Sequence, residues 1–219
     1  MAGFRYIAVE GPIGVGKTSF ARMLAEKLSA HLILEKPEEN PFLADFYKNR
    51  TKYALQTQLF FLVSRYQQQI KLLSRDLFMQ RIITDYTFDK DRIFAEINLG
   101  GKEKYLYDTI SEMLSRSIPQ PDLVVYFQAS TENLFTRIRK RNVPFEKNID
   151  FGYLDELNEA YNFHFFNYDK GPLLVVKTDE IDFVANKDDL EDLVAQISKP
   201  IKGTHYYVPA GSSLWEWND

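Results

Sequence analysis

Residues Gly11-Pro12-Ile13-Gly14-Val15-Gly16-Lys17-Thr18 satisfy the pattern G-x-x-x-x-G-K-[ST] at every fixed position, and no other stretch constrains the fold as strongly. The flanks agree with it. Phe4 to Val9 reads as a short apolar strand, and Ser19 to Ser29 carries Phe20, Met23, Leu24 and Leu28 at the spacing of an amphipathic helix. Glycines let such a loop fold into a concave nest of inward-pointing amides, and the helix N-terminus adds its positive end. In that arrangement Lys17 reaches the β- and γ-phosphates and the Thr18 hydroxyl meets Mg²⁺. A bare glycine turn is the competing explanation. With strand, turn and helix all in place, the stretch predicts a nucleoside triphosphate site.

Further strands are expected at 31–35, 82–84, 122–128 and 173–177. Helices are expected at 41–47, with Asn40 as cap and Pro41 at its first position, and at 53–73, 88–98, 103–117, 131–140, 153–168 and 188–198. The helix at 53–73 is apolar over a broad surface, which predicts burial on more than one side. Strands alternating with helices imply an α/β fold of the P-loop NTPase type, a five-stranded parallel sheet with helices on both faces. The length of 219 residues suits one domain, 1–219, with a core of about 4–198 and a tail at 199–219 that the pattern leaves unassigned.

Composition narrows the partners. The net charge of −4 gives no electrostatic footprint for nucleic acid. There is no cysteine, so disulfides and thiolate metal sites are excluded. No apolar run approaches the ~18 residues of a membrane span, and the N-terminus enters the first strand with no signal peptide, so a cytoplasmic protein away from membranes is expected. His31, His164 and His205 are scattered and are read as structural.

In parallel sheets ligands bind beyond the carboxyl ends of the strands, here Val9, Glu35, Thr84, Gln128 and Lys177. Glu35 is then either a carboxylate that takes the proton of an attacking hydroxyl or a solvated charge beside Glu38 and Glu39. Asp85 is either an acid that orients Mg²⁺ or a catalytic arginine, or a helix cap. Arg137, Arg139, Lys140 and Arg141 either close over the transferring phosphoryl group as an arginine-rich lid or form a solvated basic face. Arg139 is expected on the opposite face of its helix, toward solvent. The segment 142–148 is polar enough for a mobile lid.

Four stretches together resemble the deoxynucleoside kinases, and within them the bacterial deoxyadenosine/deoxyguanosine kinase branch. They are Glu35-Lys36-Pro37-Glu38-Glu39-Asn40-Pro41-Phe42, Gln56-Thr57-Gln58-Leu59-Phe60-Phe61-Leu62-Val63-Ser64-Arg65, Asp91-Arg92-Ile93-Phe94-Ala95 and Arg137-Ile138-Arg139-Lys140-Arg141-Asn142-Val143-Pro144-Phe145-Glu146. The resemblance runs from about residue 4 to 185. It implies that Glu35 takes the proton from the deoxyribose 5′-hydroxyl and that Tyr47 and Glu146 hold the 3′-hydroxyl. It further implies that Gln58 reads the base edge, Phe94 stacks on the base, and Arg137 and Arg141 contact the phosphates. Thr178, Asp179, Glu180, Ile181 and Asp182 would form the loop over the donor's adenine. Three positions depart from the family. Tyr86 follows Asp85 where an arginine is usual, the interval from Asp85 to Phe94 is about one residue short, and Val143 stands where a further lid arginine would fall. The acid that reads the base is accordingly either Asp89 or Asp91.

The expectation is an ATP- and Mg²⁺-dependent kinase that phosphorylates the 5′-hydroxyl of a deoxynucleoside, a purine by preference, acting as a homodimer in nucleotide salvage. Thr18 is the expected Mg²⁺ ligand, with Asp85 as a second candidate. The nearest rival is a nucleoside monophosphate kinase of the thymidylate type, for which Arg65 would have to supply charge to an acceptor phosphate. A nucleotide-dependent switch is the rival from another class.

Overall fold

The computed structural model describes residues 3–73 and 81–209. The chain enters through strand β1 (Tyr6–Glu10), passes the glycine loop and runs into helix α1 (Lys17–Leu28). It continues through β2 (His31–Ile33), α2 (Leu43–Phe46), α3 (Arg50–Leu73), β3 (Ile82–Thr84), α4 (Lys90–Asn98) and α5 (Gly101–Ser115). The second half is β4 (Leu123–Gln128), α6 (Thr131–Arg141), α7 (Phe151–Phe166), β5 (Leu173–Lys177), α8 (Lys187–Ile197) and β6 (Thr204–Tyr207). The strands hydrogen-bond in the order β2-β3-β1-β4-β5-β6, every pair parallel.

Among the described residues the sheet has six strands, one more than expected. β6 falls in the tail that the sequence pattern left unassigned, and its Thr204 to Tyr206 are exposed, so it lacks the apolar alternation of a half-buried strand. It pairs with β5 alone and closes that edge. Residues 210–219 of the tail lie outside the described residues.

β1 sits between β3 and β4 in the interior of the sheet, and its residues are buried without exception. The chain leaves it toward β3 and β2 on one side and β4, β5 and β6 on the other, so the loop after β1 opens where the strand order reverses. Asp122 fastens the entry, its Oδ2 accepting from the backbone N–H groups of Arg5 and Tyr6 at 2.8 and 2.9 Å. Beneath the loop, the rings of Phe20, Phe127 and Phe183 pack with centroids 5.0–5.4 Å apart. A side chain at Gly11 would meet the Phe127 carbonyl at 2.6 Å, so this position requires glycine.

Helix α3 spans twenty-four residues and begins three residues earlier than expected. Its inward face carries Ala54, Gln58, Leu62, Arg65 and Gln69, all buried at helical spacing. Three of those five are polar. An amphipathic helix that turns glutamine and arginine inward must find partners for them, and those partners build the site. Contrary to the broad burial expected, Val63 is exposed.

Candidate active site

Two strand boundaries differ from expectation and shape the site. β1 reaches Glu10 rather than Val9, and β2 stops at Ile33 rather than Glu35. Glu35 therefore lies in the connection beyond the strand, where its backbone N–H donates to Oδ1 of Asp85 at 2.8 Å. Asp85 also accepts from the Thr18 hydroxyl, at 2.5 Å on Oδ2. One carboxylate thus joins the phosphate loop to the connection that carries Glu35, and Asp85 does not serve as a helix cap.

A single cavity brings together Lys17 and Thr18 from the loop side, Glu35 and Asp85 at its floor, and Tyr47, Gln58, Arg65, Phe94, Arg141 and Glu146 around the far wall. Glu35 is no solvated charge. Its Oε1 accepts from Nε of Arg65 at 2.8 Å and from Nη2 of the same guanidinium, and its Oε2 accepts from Nζ of Lys90. Burial opposes ionisation of this carboxyl, but the Arg65 and Lys90 charges outweigh it and hold the group down at about 2.

Arg65 also pairs through Nη1 with Asp91, which is buried behind it. Burial raises the Asp91 carboxyl to about 6, against the pull of Arg65. Asp89 points elsewhere, to Lys170 at 2.7 Å. Two residues apart on a helix turn are about 200° apart around it, so Asp91 turns to Arg65 and Asp89 turns away from it. Tyr86, in place of the family arginine, is fully buried and donates its hydroxyl to Gln68 at 2.6 Å. Gln58 is buried with Oε1 unpartnered. The ring of Tyr47 packs edge-on to Phe46, and burial, with the charges of Tyr153 and Glu146, drives its hydroxyl well above the usual range.

Arg141 donates to both oxygens of Glu146, at 2.5 and 2.6 Å. The polar segment expected as a lid forms a single 3-10 turn, Pro144–Asn148, with Glu146 buried. Arg137 reaches over the loop, donating to the carbonyl oxygens of Thr178 at 2.7 Å and Val15 at 3.4 Å. It lines a groove with Gly16, Ile181, Asp182 and Phe183. The loop expected over the adenine is divided in its roles. Thr178 is buried, while Asp179 accepts from the N–H and hydroxyl of Ser130 and from Asn133, each at 2.8 Å. Burial opposes its charge, but these bonds hold the Asp179 carboxyl below its ordinary value. Asp179 therefore ties the loop to α6 through Oδ1, and Glu180 is exposed. Arg139 is exposed, on the solvent side of its helix as expected. It donates to the carbonyls of Lys147 at 2.8 Å and Ile149 at 3.1 Å and pins the 3-10 turn.

Two buried charged residues were not anticipated. Glu10 is fully buried, accepting from the N–H of Thr87 at 2.6 Å and of Gly11 at 3.1 Å, and burial raises its carboxyl. A glutamate ending an otherwise apolar strand was its signal. Lys90 is 4 % exposed in the first turn of α4. A cation there opposes the helix dipole, and that anomaly was readable. Lys17 is half-buried, with Nζ donating to the Pro12 carbonyl at 3.3 Å. Burial, and then the neighbouring Lys90, lowers its ammonium to about 8.

Among the described residues no group of three or more His, Cys, Asp or Glu is placed to hold a metal, and no helix is long and apolar enough to cross a membrane.

Residues 7–202 match the model of a family described as deoxynucleoside kinase. A deoxyguanosine kinase of Bacillus subtilis (strain 168) is 37 % identical over 203 residues, covering 90 % of this chain and 97 % of that protein. A deoxyadenosine/deoxycytidine kinase of the same organism is 26 % identical over 203 residues, 89 % of this chain and 92 % of the other. The solved structure of deoxyadenosine kinase from M. mycoides with bound dATP superposes with a TM-score of 0.76 at 25 % identity, covering 89 % of this chain and all of that one.

Proposed function

The chain belongs to the deoxynucleoside kinase family, and on that premise we propose that it transfers the γ-phosphoryl group of ATP to the 5′-hydroxyl of a purine deoxynucleoside. The observation that carries this reading is Glu35, an ionised carboxylate on the floor of the cavity that Lys17 and Thr18 enter from the other side. As the bond from the 5′-oxygen to the γ-phosphorus forms, the O–H proton passes to Glu35 and the bond to the ADP oxygen breaks. Lys17, Arg137 and Arg141 supply positive charge to the phosphates, and such charge is worth most where water is excluded.

Thr18 and Asp85 would hold Mg²⁺. Their oxygens converge to 2.5 Å, and a hydroxyl with one carboxylate suits an ion that otherwise binds substrate phosphates and water. Bound there, Mg²⁺ neutralises charge on the β- and γ-phosphates.

A monophosphate kinase needs cations for its acceptor's phosphate. Arg65, the candidate for that role, is committed to Glu35 and Asp91, which favours a neutral nucleoside. The unpartnered Oε1 of Gln58 and the ring of Phe94 suit a base, and the similarity to a deoxyguanosine kinase supports a purine. The same reading takes the chain as one cytoplasmic domain without nucleic-acid or membrane partners, and as a homodimer. Phe163 and Phe166, 74 % and 80 % exposed on α7, are apolar surface that a second copy would cover. Monophosphate formation from each of the four deoxynucleosides with ATP tests the reading. Faster turnover of deoxyguanosine or deoxyadenosine is expected, and turnover confined to nucleoside monophosphates would overturn it.

A further inference from the structure

Glu35 is held by three donors that come from two helices. Arg65 of α3 places Nε and Nη2 on Oε1, and Lys90 of α4 places Nζ on Oε2. A carboxylate offers about four lone-pair sites, so three are filled and the one left open is on Oε2. Lys90 occupies this position at a cost. It is a buried ammonium in the first turn of a helix, and it raises the electrostatic cost of holding Lys17 charged. Glu35 already has a cation in Arg65, so neutralising it does not by itself require the arrangement. What Lys90 adds is direction. With Oε1 tied to α3 and Oε2 to α4, the carboxylate plane is fixed, on a residue that lines the same cavity as Lys17 and Thr18. The neighbouring side chain at Tyr86 cannot do this, because its hydroxyl is spent on Gln68.

We propose that Lys90 is a positioning residue for phosphoryl transfer, orienting Oε2 of Glu35 so that its free lone pair receives the proton of the acceptor hydroxyl. The inference rests on the reading of Glu35 as the base. The charged and titratable groups facing Glu35 are Arg65, Lys90, Asp91, Lys17, Asp85, Tyr47, Tyr86 and Tyr161.

The test compares Lys90→Gln, Lys90→Arg, Glu35→Gln and the double variant Glu35→Gln/Lys90→Gln, assayed with ATP and the deoxynucleoside that the parent turns over fastest. Misdirecting a reacting group costs about 10²-fold, so Lys90→Gln should lose about that in kcat while nucleoside KM moves only a few-fold. The acid limb of its kcat/KM profile should shift to higher pH, because removing a positive charge raises the Glu35 carboxyl. Asp91 lies in the same field, and the Glu35→Gln background, which lacks the contribution from Glu35, separates the two. Lys90→Arg should recover at least about tenfold of the loss, since charge and donor return.

In the Glu35→Gln background, Lys90→Gln should cost less than about threefold more, because both changes strike one unit. The double variant also removes both charges of the pair, so it gives the answer even if Lys90→Gln alone does not fold. A parental kcat in Lys90→Gln with only a lowered Tm, or a further tenfold loss in the double variant, would overturn the proposal. If Glu35→Gln itself keeps its kcat, the base reading fails; if Glu35→Gln is slow while Lys90→Gln is fast, only the role of Lys90 fails.

Discussion

Arg141 and Glu146, five residues apart, form a two-pronged ion pair across the mouth of the cavity, with Nη2 at 2.5 and 2.6 Å from the two carboxylate oxygens. The guanidinium is half-exposed and the carboxylate buried. The pair links a group proposed for the phosphates to one proposed for the sugar, so each substrate competes for half of it. Arg141→Ala should lower kcat by roughly 10²–10³, the range for loss of a charged transition-state contact. Steady-state kinetics should also find a rise in nucleoside KM, because Glu146 is left buried without its cation. Arg137→Ala should add a drop in Tm, since the Thr178 and Val15 carbonyls lose their donor. Equal and trivial effects at both positions would reduce the cluster to a solvated basic face.

Lys17 should couple nucleotide binding to protons. In the free protein its ammonium titrates at about 8, lowered by burial and by Lys90, and the phosphates of a bound nucleotide would raise it again. ATP binding should therefore take up protons above about pH 8, and affinity should fall as pH rises. Calorimetry in buffers of differing ionisation enthalpy measures the uptake. The sign for stability follows from the same depression. The unfolded chain binds that proton more tightly than the folded one, so below about 8 a charged Lys17 disfavours folding. Lys17→Ala should thus abolish turnover while melting no lower than the parent at neutral pH. A variant with parental turnover would remove the nucleotide site.

The parts of this molecule that were legible in the sequence are those set by neighbours along the chain. The phosphate loop, β3, β5 and the helices beside them follow from local periodicity and glycine placement, and their bounds moved by few residues. What stayed hidden was set across the chain. Glu35 looked like a strand end, but its orientation comes from Arg65, thirty residues on, and Lys90, fifty-five residues on. The hydrogen bonds that Ser130 and Asn133 donate to Oδ1 of Asp179 also lie across the chain, forty-nine and forty-six residues apart. β6 gave no signal because an edge strand with exposed residues looks like a loop. The choice between Asp89 and Asp91 needed only the phase of α4, which its shifted start at Lys90 concealed.

Gln58 should discriminate among bases. Its amide is buried on the inner face of α3 with Oε1 unpartnered, and a buried unpaired acceptor costs about 1–3 kcal/mol that a matching donor would recover. Gln58→Ala should lower kcat/KM for the preferred deoxynucleoside by ~1–3 kcal/mol in equivalent free energy, and by less for the others. The comparison needs the same panel of four deoxynucleosides on parent and variant. A uniform loss would mean that Gln58 shapes the pocket without reading the base.

Glu35 decides the mechanism. Its carboxyl is held at about 2 because the opposing cost of burial is exceeded by Arg65 and Lys90. It is therefore ionised throughout the neutral range and ready to accept a hydrogen bond from the 5′-hydroxyl. A group so depressed is a weak base in the resting site. That suits a loose transition state, in which the proton leaves late, once the oxygen has begun to bond to phosphorus and has become acidic. Glu35→Gln keeps the size and one acceptor but cannot take the proton, so kcat should fall at least ~10²-fold with nucleoside affinity changed only a few-fold. The depressed carboxyl also has a consequence for stability. It favours the folded state above its unfolded value of 4.5, and this contribution is lost as pH falls from there toward about 2. Glu35→Gln should accordingly flatten the acid side of a Tm-against-pH curve in that window. It also leaves Lys90 without its anion and Arg65 with Asp91 alone, which lowers Tm at neutral pH. Loss of rate with parental affinity and a flattened acid limb would identify Glu35 as the base, whereas a variant that keeps most of its kcat would move the proton to another acceptor.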